Sequence, residues 1–205
     1  MRPPLPRLHA ITDERIARRR DLQDIARELA KGGGTDLALH ARGRALSGLE
    51  HYELAARLAV CAPGRLIVND RLDVALGVPC AGVQLGRGSM PAAAARALNP
   101  TWWIGRSVHD VAEAEAARTE GADYLVVGPV FDTATHPGRT ALGLDGLQAI
   151  AAAAGELAVI AIGGVTPERV AAVRQRGAYG VAAIRAFWDD ADPAAAARRM
   201  REWML

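Results

Sequence analysis

The stretch GADYLVVGPVFDTATHPGRTALG, Gly121 to Gly143, decides the fold. Its apolar run Tyr124–Val127 is long enough for one buried strand. Gly128-Pro129 stops that strand, and a polar loop with three threonines, a histidine and two more glycines follows before a helix can start at Leu144. A buried strand running out into such a loop is how an α/β protein builds a site at the carboxyl ends of its strands.

The same unit repeats in both directions. Strands are predicted at Leu8–Thr12, Asp36–His40, Arg65–Val68, Gly82–Gln84 and Trp102–Gly105 before it, and at Leu157–Ala161 and Gly180–Ile184 after it. Helical spacing fills the intervals: Glu14–Ala30, a helix through Val60, Arg71–Leu76, one opened by Met90-Pro91, Asp110–Glu120, one capped by Thr166-Pro167, and Pro193–Trp203. Eight evenly spaced strands alternating with about eight helices, without a GxGxxG turn, favour a closed (β/α)8 TIM barrel over an open doubly wound sheet. No linker or low-complexity segment divides the chain, so residues 1–205 read as one barrel domain.

Half the residues are hydrophobic and only 4% are aromatic, so Ala, Val, Leu and Ile carry the core. The net charge is +2, Lys31 is the only lysine, and the arginines are scattered rather than striped, which excludes a nucleic-acid face. Cys61 and Cys80 stand alone, as buried thiols of a reducing compartment do. No apolar run approaches the about 18 residues of a membrane span, and the first residues lack a signal core. A cytoplasmic protein acting on a small molecule, without membrane or nucleic acid, is expected.

The predicted strand ends carry the candidate site. Ile162-Gly163-Gly164-Val165 before a Thr-Pro-Glu helix start reads as a phosphate cradle, since glycines let backbone amides close on an anion and the helix end adds partial positive charge. Arg42 and Arg44 leave the second strand at alternating positions and suit a phosphate or pyrophosphate, or else a solvated loop. Asn69-Asp70 ends the third strand, where Asp would ligate Mg2+ or cap the next helix. Gln84, Ser89, Ser107, Thr133, Thr135, Ile184 and Arg185 lie on the same rim, with His40 and His136 as titratable candidates. His9, His51 and His109 read as a packed strand residue, a helix-surface residue and a loop or cap residue.

Together, LHAITD, the Arg-x-Arg loop, LIVNDRLDVAL, GVQLG, IGRSVHD, GADYLVVGPVFDTATHPG and AIGGVTPE resemble the thiamine phosphate synthase/TenI superfamily over nearly the whole chain. The resemblance implies a single (β/α)8 barrel, often a homodimer, that handles a thiazole phosphate. Against the synthase pattern the chain matches at Arg42, Asn69, Asp70, Ser107, Thr133 and Thr135, so the synthase alternative implies Mg2+ on Asp70. It departs with His40 for Gln, Arg44 for Lys, Ser89 for a second Mg2+-binding Asp, His136 for a pyrophosphate Lys, and Arg185 for a small Ser.

Those departures are more similar to the TenI branch, whose activity is a metal-independent thiazole tautomerase. On that reading no cofactor is needed. His136 serves as the acid/base group with His40 across the mouth, because Pro129 stands where the branch carries its usual His. Arg42, Arg44, Asn69, Gln84, Ser107, Thr133, Thr135, Gly163, Gly164, Ile184 and Arg185 then bind the substrate and its phosphate. A non-catalytic protein that binds thiamine-type phosphates is the third reading.

Overall fold

Each strand of the repeat is short and apolar and has to be covered on both faces, by helices outside and by its neighbours' side chains inside. The computed structural model, which describes residues 2–133 and 140–204, meets that demand with a closed barrel. Strands β1 (Leu8–Ile11), β2 (Leu37–Ala41), β3 (Leu66–Asn69), β4 (Gly82–Leu85), β5 (Trp103–Val108), β6 (Tyr124–Val127), β7 (Ala158–Ile162) and β8 (Gly180–Ala183) are parallel and pair in chain order. The barrel shuts where Leu8, His9 and Ala10 of β1 meet Val181, Ala182 and Ala183 of β8.

The outer layer consists of α1 (Glu14–Ala17), α2 (Leu22–Gly33), α3 (Gly48–Ala59), α4 (Leu72–Gly77), α5 (Ala92–Leu98), α6 (Val111–Thr119), α7 (Gly143–Ala154), α8 (Pro167–Gln175), α9 (Arg185–Trp188) and α10 (Pro193–Met204). Local signals start several of them. Ser47 and Glu50 form a reciprocal capping box on α3, Asp13 accepts the Ile16 amide at 2.8 Å, and Asp110 accepts the Glu113 amide at 2.8 Å.

Four expectations change. The helix expected over Glu14–Ala30 is two pieces, α1 and α2. The charged run Arg18–Asp21 between them offers no apolar face, and Arg19 instead bonds Asp21 and the Trp188 carbonyl. β5 runs on to Val108 because Ser107 and Val108 find partners in Val126 and Val127 of β6. The four-residue helix α9 was not foreseen. His51, expected on a helix surface, is buried, because His51, Leu54, Ala55 and Leu58 form the stripe that α3 turns inward. Its ring Nε2 lies 2.9 Å from the Ala41 carbonyl, and burial lowers its pKa, so it donates there as a neutral ring.

Residues of one parity face the barrel axis. Ile11, Asn69, Gln84, Ser107, Val126, Ile162 and Ala182 line the cavity at the carboxyl end. Two positions deeper on the same faces lie His9, Ile67, Gly105, Tyr124 and Ile160. One flank of this interior is therefore polar where barrels usually stack branched aliphatics.

The opposite, amino end is closed by charge. Asp123, just before β6, accepts from Arg2 (2.8 Å), Arg96 (2.6 Å) and the Ile104 amide (2.8 Å), while the Arg2 guanidinium stacks 4.2 Å over Trp103. Burial would raise the Asp123 carboxyl, but these donors outweigh it and hold the pKa below the ordinary value. Asp123→Ala leaves two half-covered guanidinium groups and an amide without their acceptor. A loss of about 2–3 kcal/mol in urea unfolding is expected, with no change in the site at the other end.

Candidate active site

A cavity of about 530 Å3 opens at the carboxyl ends of the strands. Of the residues singled out on the rim, Arg42, Arg44, Asn69, Asp70, Gln84, Ser107, Thr133, Gly163, Gly164, Ile184 and Arg185 line it. Thr135 and His136 lie outside the described residues.

The arginine loop is held by its backbone. Thr12 Oγ1 accepts the Arg42 amide at 2.9 Å and lies 2.8 Å from the Arg42 carbonyl, and the Glu14 carboxylate accepts the amides of Arg44 and Ala45. Among the described residues the half-buried Arg42 guanidinium has no hydrogen bond. Burial, and then the charge of Arg44, pull its pKa down. A cation placed this way is ready for an anion from outside.

Asp70 has φ +62 and is the only non-glycine with a positive φ among the described residues. Asp tolerates the left-handed region better than most residues, yet such a conformation stores strain and clusters at working sites. Its Oδ1 accepts the Gly86 amide at 2.8 Å and the Ser89 hydroxyl. Oδ2 has no hydrogen bond among the described residues. Ser89 therefore braces Asp70 from outside the cavity.

On the other flank, Gly163 (φ +97) and Gly164 (φ +63) turn the chain out of β7. A Cβ on Gly163 would stand 2.6 Å from Pro129 Cα, and one on Gly164 2.7 Å from the Asp132 carbonyl, so only glycine fits at either position. Among the described residues the amides of Gly164, Val165 and Ile184 donate to no acceptor, which leaves a row of bare N–H groups for an anion. Arg169 closes this flank, donating to the Gly164 carbonyl at 2.7 Å and stacking 4.6 Å from the Phe131 ring.

The floor lies between the flanks. Gln84 Nε2 is 3.0 Å from Ser107 Oγ, while Gln84 Oε1 and the Tyr124 hydroxyl are buried with no partner among the described residues. Burial pushes the Tyr124 phenol up, so it stays protonated. The slot that both occupy exists because Gly105 has no Cβ. One there would come within 3.0 Å of Gln84 Oε1 and of the Tyr124 ring.

His40 requires a correction. It is fully buried below the floor, with Nε2 2.7 Å from His9 Nδ1 and Nδ1 3.0 Å from Asn69 Oδ1, and does not line the cavity. Strand alternation turns position 40 to the axis one layer beneath the rim, so it is no acid/base group at the mouth. The reading of the sequence also passed over Arg87 and Arg169, and gave the strand-end residue His109 only a bland role. His109, read as a loop or cap residue, follows β5 directly and lines the cavity, with its Nδ1 2.9 Å from Glu113 Oε2. Arg87 pairs with the same Glu113. The place of His109 at a strand end puts it on the rim, and its i, i+4 spacing to Glu113 signals their pairing.

The neutral histidine pair makes stability pH-dependent. Burial lowers the His9 pKa to about 4, and burial followed by the neighbouring His9 holds that of His40 well below its ordinary value. Above the ordinary value of 6.5 both states are neutral and nothing is lost. Below it the unfolded chain takes up protons that the fold refuses, so stability falls with falling pH until the folded pKa is reached. For His9 alone the loss is about 3 kcal/mol between pH 6.5 and 4. Urea midpoints measured at pH 7, 6 and 5 should fall accordingly, with a shallower slope in His9→Gln.

Fold and site together define a (β/α)8 barrel with an arginine- and glycine-lined cavity at the carboxyl ends of its strands. The thiamine monophosphate synthase family model matches residues 8–187, and the chain belongs to that family. It is 40% identical to the thiamine-phosphate synthase of Chloroflexus aurantiacus over 95% of this chain and 91% of that one. It is 41% identical to that of Methanoculleus marisnigri over 95% and 93%. The thiamine phosphate pyrophosphorylase structure from Pyrococcus furiosus superimposes with a TM-score of 0.81 at 32% identity, covering 97% of this chain and 95% of that one. These relatives overturn the tautomerase reading. Identity of about 40% spans the whole barrel and runs to proteins named as synthases, so the departures at Ser89 and Arg185 are changes within a synthase-like frame.

Proposed function

We propose that the protein is a thiamine-phosphate synthase, a transferase that joins a pyrimidine methyl pyrophosphate to a thiazole phosphate and releases pyrophosphate. The observation that carries this reading is the division of one cavity into two anion-receiving flanks. Arg42, Arg44 and Asp70 lie on the β2–β3 side, and the bare amides of Gly164, Val165 and Ile184 lie on the β7–β8 side with Arg185. A closed barrel sets those flanks apart across the mouth, as a reaction between two phosphorylated partners requires.

In the reaction, the bond from the pyrimidine methylene carbon to the pyrophosphate oxygen breaks and its electron pair leaves with pyrophosphate. The thiazole nitrogen lone pair then forms the new C–N bond. Arg42 and Arg44 receive the charge that develops on the leaving group, and their fixed backbone means that no reorganisation is needed at that moment. The amides of the Gly163-Gly164 turn and Arg185 hold the thiazole phosphate, and the apolar walls of Ile11, Val126 and Ile162 keep water from the cation-like carbon.

The donor set fits Mg2+ in its usual substrate-shared form. Mg2+ takes one or two carboxylates and completes its shell with phosphate oxygens and water, and Asp70 offers an unbonded Oδ2 on the pyrophosphate flank. No group of three His, Cys, Asp or Glu side chains gathers among the described residues, which argues against a closed protein cage. When bound, Mg2+ would neutralise the departing pyrophosphate.

The test is a product assay on the purified chain with both substrates, in Mg2+ and in chelator. Thiamine phosphate is expected with Mg2+ alone. No product under either condition, with intact fold, would sink the reading.

A further inference from the structure

Beneath the cavity floor a hydrogen-bond chain runs from the Pro6 carbonyl through His9 and His40 to Asn69. His9 Nε2 is 3.0 Å from Pro6 O, His9 Nδ1 is 2.7 Å from His40 Nε2, and His40 Nδ1 is 3.0 Å from the Asn69 carboxamide. Both rings are fully buried, and among the described residues no carboxylate bonds either one.

Protons decide how the chain ends. The Pro6 carbonyl only accepts, so His9 Nε2 carries hydrogen. In a neutral His9 ring Nδ1 is then a lone pair and must receive the hydrogen of His40 Nε2. His40 Nδ1 is in turn a lone pair, and the Asn69 atom facing it must be a donor. The structure draws Oδ1 in that place, but a carboxamide has nearly the same shape either way round and its orientation follows from the network. Keeping Oδ1 there would set two acceptors against each other, or else add an unpaired positive charge to a fully buried pair close to Arg42.

We infer that His9 and His40 are positioning residues that lock the Asn69 amide with Nδ2 toward His40 and Oδ1 toward the cavity, so that Asn69 reads a hydrogen-bond donor on the ligand. Asn69 lines the cavity at the edge of the floor. A phosphate oxygen offers no such donor, whereas a ring amine does. The choice of an aminopyrimidine as ligand rests on the synthase reading; the orientation itself does not.

Two measurements test this. Two-bond 1H–15N correlation spectra of the labelled full chain at pH 7 should show both rings as Nε2–H tautomers, with peaks assigned from His9→Gln and His40→Gln. If those variants fail to fold, neutron diffraction on the wild type locates the same hydrogens and the Asn69 amide. A His40 Nδ1–H tautomer, or a doubly protonated ring, overturns the inference even if the protein proves to be an active synthase.

In calorimetry, an aminopyrimidine methanol should bind roughly tenfold tighter than its desamino analogue, and Asn69→Leu should erase the difference. Equal affinities in the wild type overturn the donor-reading role. If the tautomers hold in a protein with no synthase activity, the inference stands and the proposed function falls.

Discussion

Replacing Asp70 with Asn is expected to cut Mg2+-dependent turnover by about 10^3-fold, with little change in melting temperature. The two halves of that expectation come from different properties of the residue. Asn tolerates the left-handed φ of +62 at this position, and its Oδ1 can still accept the Gly86 amide. The backbone turn that opens the cavity therefore survives. What is lost is the negative charge of Asp70; Ser89, a neutral hydroxyl, cannot replace it, and Glu14 is committed to the Arg44 and Ala45 amides. Asp70→Ala would confuse the issue by adding strain of about 1–3 kcal/mol and removing the amide acceptor. The measurement is kcat against Mg2+ concentration beside a thermal melt. Turnover within about threefold of the wild type would mean that the ion is held without Asp70.

The second large effect is expected at Arg42. Arg42→Ala should lower kcat/KM by roughly 10^2–10^3, because a charge-assisted contact to the leaving group disappears from a site shielded from water. Stability should move the other way or stay unchanged. The guanidinium is half-buried without a hydrogen bond among the described residues, and burial, then the charge of Arg44, depresses its pKa. Removing it relieves the cost of a partly desolvated cation that the charges of Glu14, Asp70 and Asp13 only partly offset, the trade-off expected where a site is built for a ligand rather than for the apo fold. Arg42→Lys, which keeps the charge but loses the planar fork, should recover only part of the activity. Steady-state kinetics and urea unfolding on the three proteins check both signs. A drop in stability that tracks the drop in activity would mean that Arg42 is structural.

The barrel and most of its rim were legible in the linear chain. Strands that must be buried on both faces read as apolar runs, and the glycine, arginine and Asn-Asp signals stand one or two residues past those runs, where the topology makes them converge. The Gly163-Gly164 turn could be named because such a turn favours glycine, and Arg42 and Asp70 because each stands at the end of an apolar strand. The branch of the family was misread from single substitutions. Ser89 and Arg185 change charge locally, while the identity spread over the whole chain carries the relationship to the synthases.

What the sequence by itself determined is the repeat, and with it the closed barrel, since the 2.0 and 3.6 periodicities are local properties of the chain. Only the tertiary structure decided which inward side chains of adjacent strands share a hydrogen bond. His9 and His40 are 31 residues apart and look alike as strand histidines, yet the parallel pairing of β1 with β2 brings their nitrogens to 2.7 Å and the barrel buries both. Register and burial then set their tautomers and the orientation of Asn69. The physical reason is that a hydrogen bond depends on distance and direction between remote segments, and no local pattern in either segment encodes them.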